Sequence, residues 1–357
     1  MTIADGPDRF QRRHAWLGFP LAVIYKYFDD FGTYLAAILT YYAFVSVFPL
    51  LLIASTVLSV VLRGNQHLQH ELLTSALRSF PLIGQELDKP KYLSGGTAGL
   101  TIGIAASVYG ALGVAQAFQY ASNTMWGVPR NSRPNPLKAR GRSLVLLATA
   151  GLAVLATTLL SIASSGGVGA LGTVEKVLAI AASVVINIAV SIFAFRFAPA
   201  RRLSFRDVIP GAAASAIIWQ LLQSFGIVYV KHVVGHASAT NFVFALVLGL
   251  VAYLFITAMA ILLCIEVNVV RVTRMHPRAL LTPFTDNVAL TKGDKRAYTG
   301  QAKAQRSKGF ERIEVDFTPP PAEPEPTGSE PEPVEPEPEP PGDPGDGSDG
   351  AAESRHA

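Results

Sequence analysis

The chain reads as an all-α polytopic membrane protein with about six transmembrane helices, amphipathic interfacial helices beside them and a disordered acidic C-terminal tail. Three observations predict this. Half of the 357 residues are hydrophobic and 16% are charged, against about 25% charged residues in a soluble globular protein. Stretches at residues 35–62, 97–126, 143–163, 177–195, 208–230 and 238–265 are long and almost free of charge. A helix needs about 20 such residues to cross the hydrocarbon core, because its backbone must satisfy its own hydrogen bonds there. Lys and Arg, finally, gather in alternate connections between these stretches.

Residues 1–30 form an N-terminal segment in which Trp16, Leu17, Phe19, Leu21, Val23, Ile24, Tyr27 and Phe28 alternate with charged positions. This suits an amphipathic helix on the membrane surface, bent or interrupted at Pro20. The segment has no short apolar core before a small-residue cleavage site, so no cleaved signal peptide is expected. The six-helix domain spans 31–275, with a second amphipathic helix expected at 71–87 in its longest loop.

The connection from Pro129 to Arg142 carries Arg130, Arg133, Lys138, Arg140 and Arg142 with no acid. Arg196, Arg201, Arg202 and Arg206 follow the fourth stretch, and Arg271, Arg274 and Arg278 follow the sixth. With six spans these connections share one side, and positive residues are retained in the cytoplasm. Both termini are therefore expected to be cytoplasmic. Residues 276–318 read as a basic cytoplasmic linker. The tail, 319–357, holds eleven acids, one base and twelve prolines; with little apolar surface to offset ordering entropy, it is expected to be disordered.

Candidate functional residues are few. Gly95, Gly99, Gly103, Gly110 and Gly113 form a small-residue seam on the second span, which lets another helix approach closely; Gly211 and Ser215 repeat this on the fifth. Gln116, Gln119 and Asn123 follow the seam on an adjoining stripe, with Asn187, Gln220 and Gln223 as further amides. Polar groups there face protein, water or a bound polar group, so they mark either a transport path or interhelical hydrogen bonds. Glu266 ends a charge-free span and requires a cation, for which Arg196 or Arg202 is the expected partner; Asn268, two residues on, points elsewhere.

His67/His70 and His232/His236 have spacing that can bring two imidazoles together, but no acid-rich motif accompanies them and no metal or cofactor is expected. Cys264 reads as a buried hydrophobe. Without a nucleophile elbow, Walker loop, dinucleotide fingerprint or HExxH, no enzymatic activity is expected.

TYYAFVSVFPLLL at 40–52, AFQYASNTMWGV at 117–128, FRDVIPGAAASAIIWQ at 205–220 and CIEVN at 264–268 resemble, in order, the motifs of the YihY/BrkB family of bacterial inner-membrane proteins. In the last, Cys-Ile stands where the family has Gly-Ala. The resemblance covers roughly residues 20–275 and implies six transmembrane helices in the bacterial plasma membrane. The family's old label, ribonuclease BN, has no nuclease metal cluster here to support it.

Family members are described as transporters of lipid-like or other envelope molecules. The expectation is a transporter or exporter whose path lies among spans two, five and six; the alternative is a non-transporting scaffold whose acidic tail recruits a basic cytoplasmic partner. Anionic lipid headgroups are the expected partners of the basic loops, specific nucleic-acid binding is not expected, and self-association is left open.

Overall fold

The charge-free stretches fold as helices. The computed structural model describes residues 5–61, 96–163, 169–229, 239–280, 282 and 288–317, in which there is no strand. The amphipathic candidate at 71–87, Gly95, both histidine pairs and the tail lie outside the described residues. The helices are α1 (Asp5–Arg13), α2 (Ala15–Asp29), α3 (Gly32–Val61), α4 (Gly96–Met125), α5 (Pro136–Ala163), α6 (Gly169–Phe197), α7 (Phe205–Tyr229), α8 (Ala239–Thr273) and α9 (Lys292–Ala304). Segments Pro136–Leu160, Val177–Phe197 and Val247–Thr273 are long and apolar enough to cross a membrane.

The six long helices close on themselves: each of α3 to α8 packs on its chain neighbour, and α8 returns to pack on α3. A continuous core runs through α3, α4, α6, α7 and α8, with Leu39, Ala121, Phe195, Ala212 and Leu262 among its buried members. Outward, Leu152, Leu155 and Leu159 on α5 and Val177, Leu178 and Val185 on α6 are exposed. An apolar surface of this extent suits lipid rather than water.

The seam glycines set the closest helix contacts. A Cβ at Gly110 would collide with Ser46, and one at Gly113 with the Tyr42 ring, both on α3. Gly99 and Gly103 lie on the same helix. Helix α4 ends at Gly127, whose φ of +60° lets Val128 N–H donate to Asn123 O at 2.8 Å and Gly127 N–H to Thr124 O at 2.9 Å. This left-handed turn satisfies the last carbonyls of the helix.

Helix α7 contains Pro210, which lacks the N–H that would bond the Arg206 carbonyl. The Arg271 guanidinium donates to that carbonyl instead. Asn268 then clamps the next turn: it accepts from Gly211 N–H at 2.8 Å and donates to Val208 O at 3.1 Å. A side chain at Gly211 would strike the Cys264 carbonyl and Asn268. The proline, the glycine and the asparagine are thus parts of one α7–α8 joint.

Both ends of the six-helix region are joined to flanking segments that take part in the fold. Helix α2 runs through Pro20, and the break falls at His14, between α1 and α2. The basic segment after the sixth stretch is built into the fold. Arg278 is fully buried, paired with Asp294 and, at 2.9 Å, with Asp29 of α2. Its guanidinium lies over the rings of Tyr25 and Tyr298. Asp294 also accepts from Ala279 N–H at 3.0 Å and completes a capping box with Thr291 at the start of α9. Asp8 accepts from Leu280 N–H at 2.8 Å, and Gln11 donates to Arg278 O at 2.6 Å.

Removing one partner of a buried pair strands the other charge. Asp294→Ala should therefore lower stability by about 3–5 kcal/mol, read as a drop in the thermal midpoint of the solubilised protein. An unchanged midpoint would show that Arg278 does not depend on it.

Candidate functional site

Helix α8 carries no charge until Glu266, which is fully buried and accepts from no donor among the described residues with either oxygen. At 100° per residue Glu266 and Asn268 lie on opposite sides of the helix. Asn268 faces α7, as described above, and Glu266 turns towards α2. There the buried Lys26 ammonium is paired with Asp30 and reaches Met125 O, at the end of α4, at 3.5 Å. Lys26 and Asp30 are the charges that act most strongly on Glu266.

Burial alone would depress the Lys26 pKa, but Glu266 and Asp30 outweigh it and hold the ammonium above the ordinary lysine value. Burial pushes the Asp30 carboxyl above the usual range, against the opposing pull of Lys26. Asp30 is the carboxylate in ion-pair contact with this buried ammonium, and Glu266 feels its charge without bonding to it.

The expected partners of Glu266 are thereby corrected. Arg196 donates to Leu203 O at 2.8 Å and lies over the Phe205 ring, and Arg202 is exposed. Lys26 is instead the cation that acts most strongly on Glu266, because α2 packs along α8, a fold-back that no local pattern in the sequence announces.

The amides divide. Gln116 is exposed, whereas Gln119 and Asn123 are buried. Gln119 donates to Ser143 Oγ at 2.8 Å and Ala139 O at 3.2 Å on α5. Asn123 accepts from Ala200 N–H at 2.6 Å, tying α4 to the α6–α7 connection. Both amides hold α4 to other parts of the bundle, while Asn187 and Gln223 are half-buried and Gln220 is exposed. Ser215 bonds Ser191 Oγ at 3.0 Å, joining α7 to α6.

The three basic connections meet at this end of the bundle. Arg142 donates to Pro199 O at 3.2 Å, Arg201 to Trp126 O at 3.4 Å, and Arg271 to Arg206 O. Beside the Lys26–Asp30 pair they leave an open cavity of about 580 Å³, bounded by the ends of α2, α4 and α8, the α4–α5 connection and α9.

Sequence reasoning missed Lys26, Asp30, Arg278 and Asp294. Two local signals were available: the i, i+4 spacing of Lys26 and Asp30, and the Thr291/Asp294 capping pattern. Neither shows that the charges would be buried.

Lys26→Gln should strand Asp30, remove the positive charge that acts most strongly on Glu266, and lower stability by about 3–5 kcal/mol. Adding Glu266→Gln removes the second carboxyl and should recover at least part of that loss, which thermal unfolding of the two variants would measure. A double variant no more stable than Lys26→Gln alone would show that Lys26 does not answer Glu266.

Among the described residues no group of His, Cys, Asp and Glu could hold a metal. Searches of curated proteins and of solved structures return no match. A family model described as virulence factor BrkB matches residues 23–286. The match takes in α3 to α8, the Lys26–Asp30–Glu266 cluster and Arg278, and covers well over half of the sequence: this chain is a membrane protein that belongs to the BrkB family.

Proposed function

We propose that the chain is a multi-pass transporter of the bacterial inner membrane that moves an amphiphilic, envelope-related molecule, with both termini and the basic end of the bundle in the cytoplasm. The observation that carries this reading is Glu266. A buried carboxyl within a membrane helix is costly and marks a pathway or a proton relay more often than a structural contact. Here it adjoins a pair, Lys26 and Asp30, that lines an open cavity. A proton held between Asp30 and Glu266 would satisfy both carboxyls, which two bare anions cannot do. Such a proton could be exchanged as the cavity fills and empties.

Between α7 and α8 an apolar cleft of about 320 Å³, lined by Phe225, Leu248 and Ile256, offers acyl chains a lateral contact. A scaffold role is the second reading, favoured by the Gln119 amide NH2, which bonds α5, and by Asn123, which bonds the α6–α7 connection.

The test is transbilayer movement of a fluorescent phospholipid in proteoliposomes made with the full-length protein. The wild type should exceed protein-free vesicles, and Glu266→Gln, while folded, should lose most of that rate. Movement equal to that of empty vesicles would favour the scaffold. Orientation is checked separately: a cysteine at position 140 or 202 should resist impermeant labelling of intact cells, and labelling there would invert the topology.

A further inference from the structure

The cavity at the basic end carries more positive charge than the fold uses. Its lining includes five bases, Lys26, Arg130, Arg133, Arg201 and Lys303, and two acids, Asp29 and Asp30. Both acids are already engaged, Asp30 by Lys26 and Asp29 by Arg278. Among the described residues the other four bases form no ion pair with a carboxylate.

Two of those bases are held in place by the walls. Arg133 lies over the Tyr120 ring at 5.1 Å and donates to Val128 O at 3.2 Å and Thr124 Oγ1 at 3.4 Å. Arg201 lies over the Trp126 indole at 5.4 Å and donates to Trp126 O. Guanidiniums held over aromatic rings and bonded to main-chain oxygens lose little further freedom when they bind, and their fork of donors matches a phosphate. Arg130 and Lys303 are exposed at the rim and add long-range attraction. Burial lowers the Arg133 pKa, a cost that a bound anion would offset.

We propose that this cavity is a binding site for a phosphate-bearing anion, with Arg133 and Arg201 as the holding groups and Arg130 and Lys303 as the rim. The same chemistry fits an anionic phospholipid headgroup drawn from the membrane edge or a soluble phosphate compound. The site stands on its own geometry and is independent of whether the protein transports.

The experiment uses the full-length chain in neutral detergent, titrated in separate arms with dihexanoyl phosphatidic acid and with inorganic phosphate, and read by tryptophan fluorescence because Trp126 lines the cavity. Saturable binding is expected in at least one arm. Binding of the lipid alone identifies a headgroup site; binding of phosphate, with competition between the arms, identifies a general phosphate site. Arg133→Gln combined with Arg201→Gln should weaken binding about tenfold or more, the loss expected when charge-assisted hydrogen bonds are removed.

Arg130→Gln with Lys303→Gln changes exposed side chains only, so it keeps the test independent of folding and should also weaken binding. Arg202→Gln, outside the cavity lining, should leave it unchanged. No saturable binding in either arm, retained affinity in both double variants, or an equal loss in Arg202→Gln would overturn the proposal.

Discussion

A carboxyl group with no solvent contact at the end of a charge-free helix has to hold a proton or lie near a cation, and Glu266 imposes that requirement on the rest of the bundle. The cation that acts most strongly on it is Lys26, which the packing of α2 along α8 brings near. Once α2 is there, Tyr25 and Asp29 are placed to meet the returning chain, and Arg278 is buried among Asp29, Asp294 and two tyrosine rings. A segment that is merely basic in composition is thereby built into the fold.

The helices can come close enough for this because their contacts are cut to the backbone. Gly110 and Gly113 admit Ser46 and Tyr42 of α3, and Gly211 admits the Cys264 carbonyl. Packing of this kind is what remains to drive association when lipid is as apolar as the side chains. Pro210 costs one helix bond, which Arg271 on α8 replaces, and Asn268 on the same helix bonds the next turn. The α7–α8 joint therefore depends on residues from both helices, which accounts for their occurrence in two short motifs far apart in the chain.

The charged end that results has two layers. Deepest are the pairs that hold the fold, Lys26 with Asp30 and Arg278 with Asp29 and Asp294. Above them, Arg133 and Arg201 rest on aromatic walls around an open space, held by main-chain and hydroxyl oxygens rather than by carboxylates. Positive charge at the cytoplasmic edge of a membrane protein ordinarily serves topology, but a guanidinium fixed over a ring inside a cavity has a direction as well as a charge. That difference separates a retained loop from a binding surface.

Composition and hydropathy were enough to read an all-α membrane protein, because lipid leaves the backbone few alternatives to a helix. Gly110 and Gly113 were legible as close-contact positions for a similar reason: small residues at helical spacing have a purely local signature. The buried amides were legible as polar positions, but their use was not, since Gln119 finds α5 and Asn123 finds the α6–α7 connection only once the bundle closes. The partner of Glu266 was misread, because Lys26 lies 240 residues away in the chain and a charge in sequence carries no information about what will desolvate it. Helix and span are decided by neighbours three and four residues apart; which charges share a buried site is decided by which helices touch, and only the tertiary structure contains that.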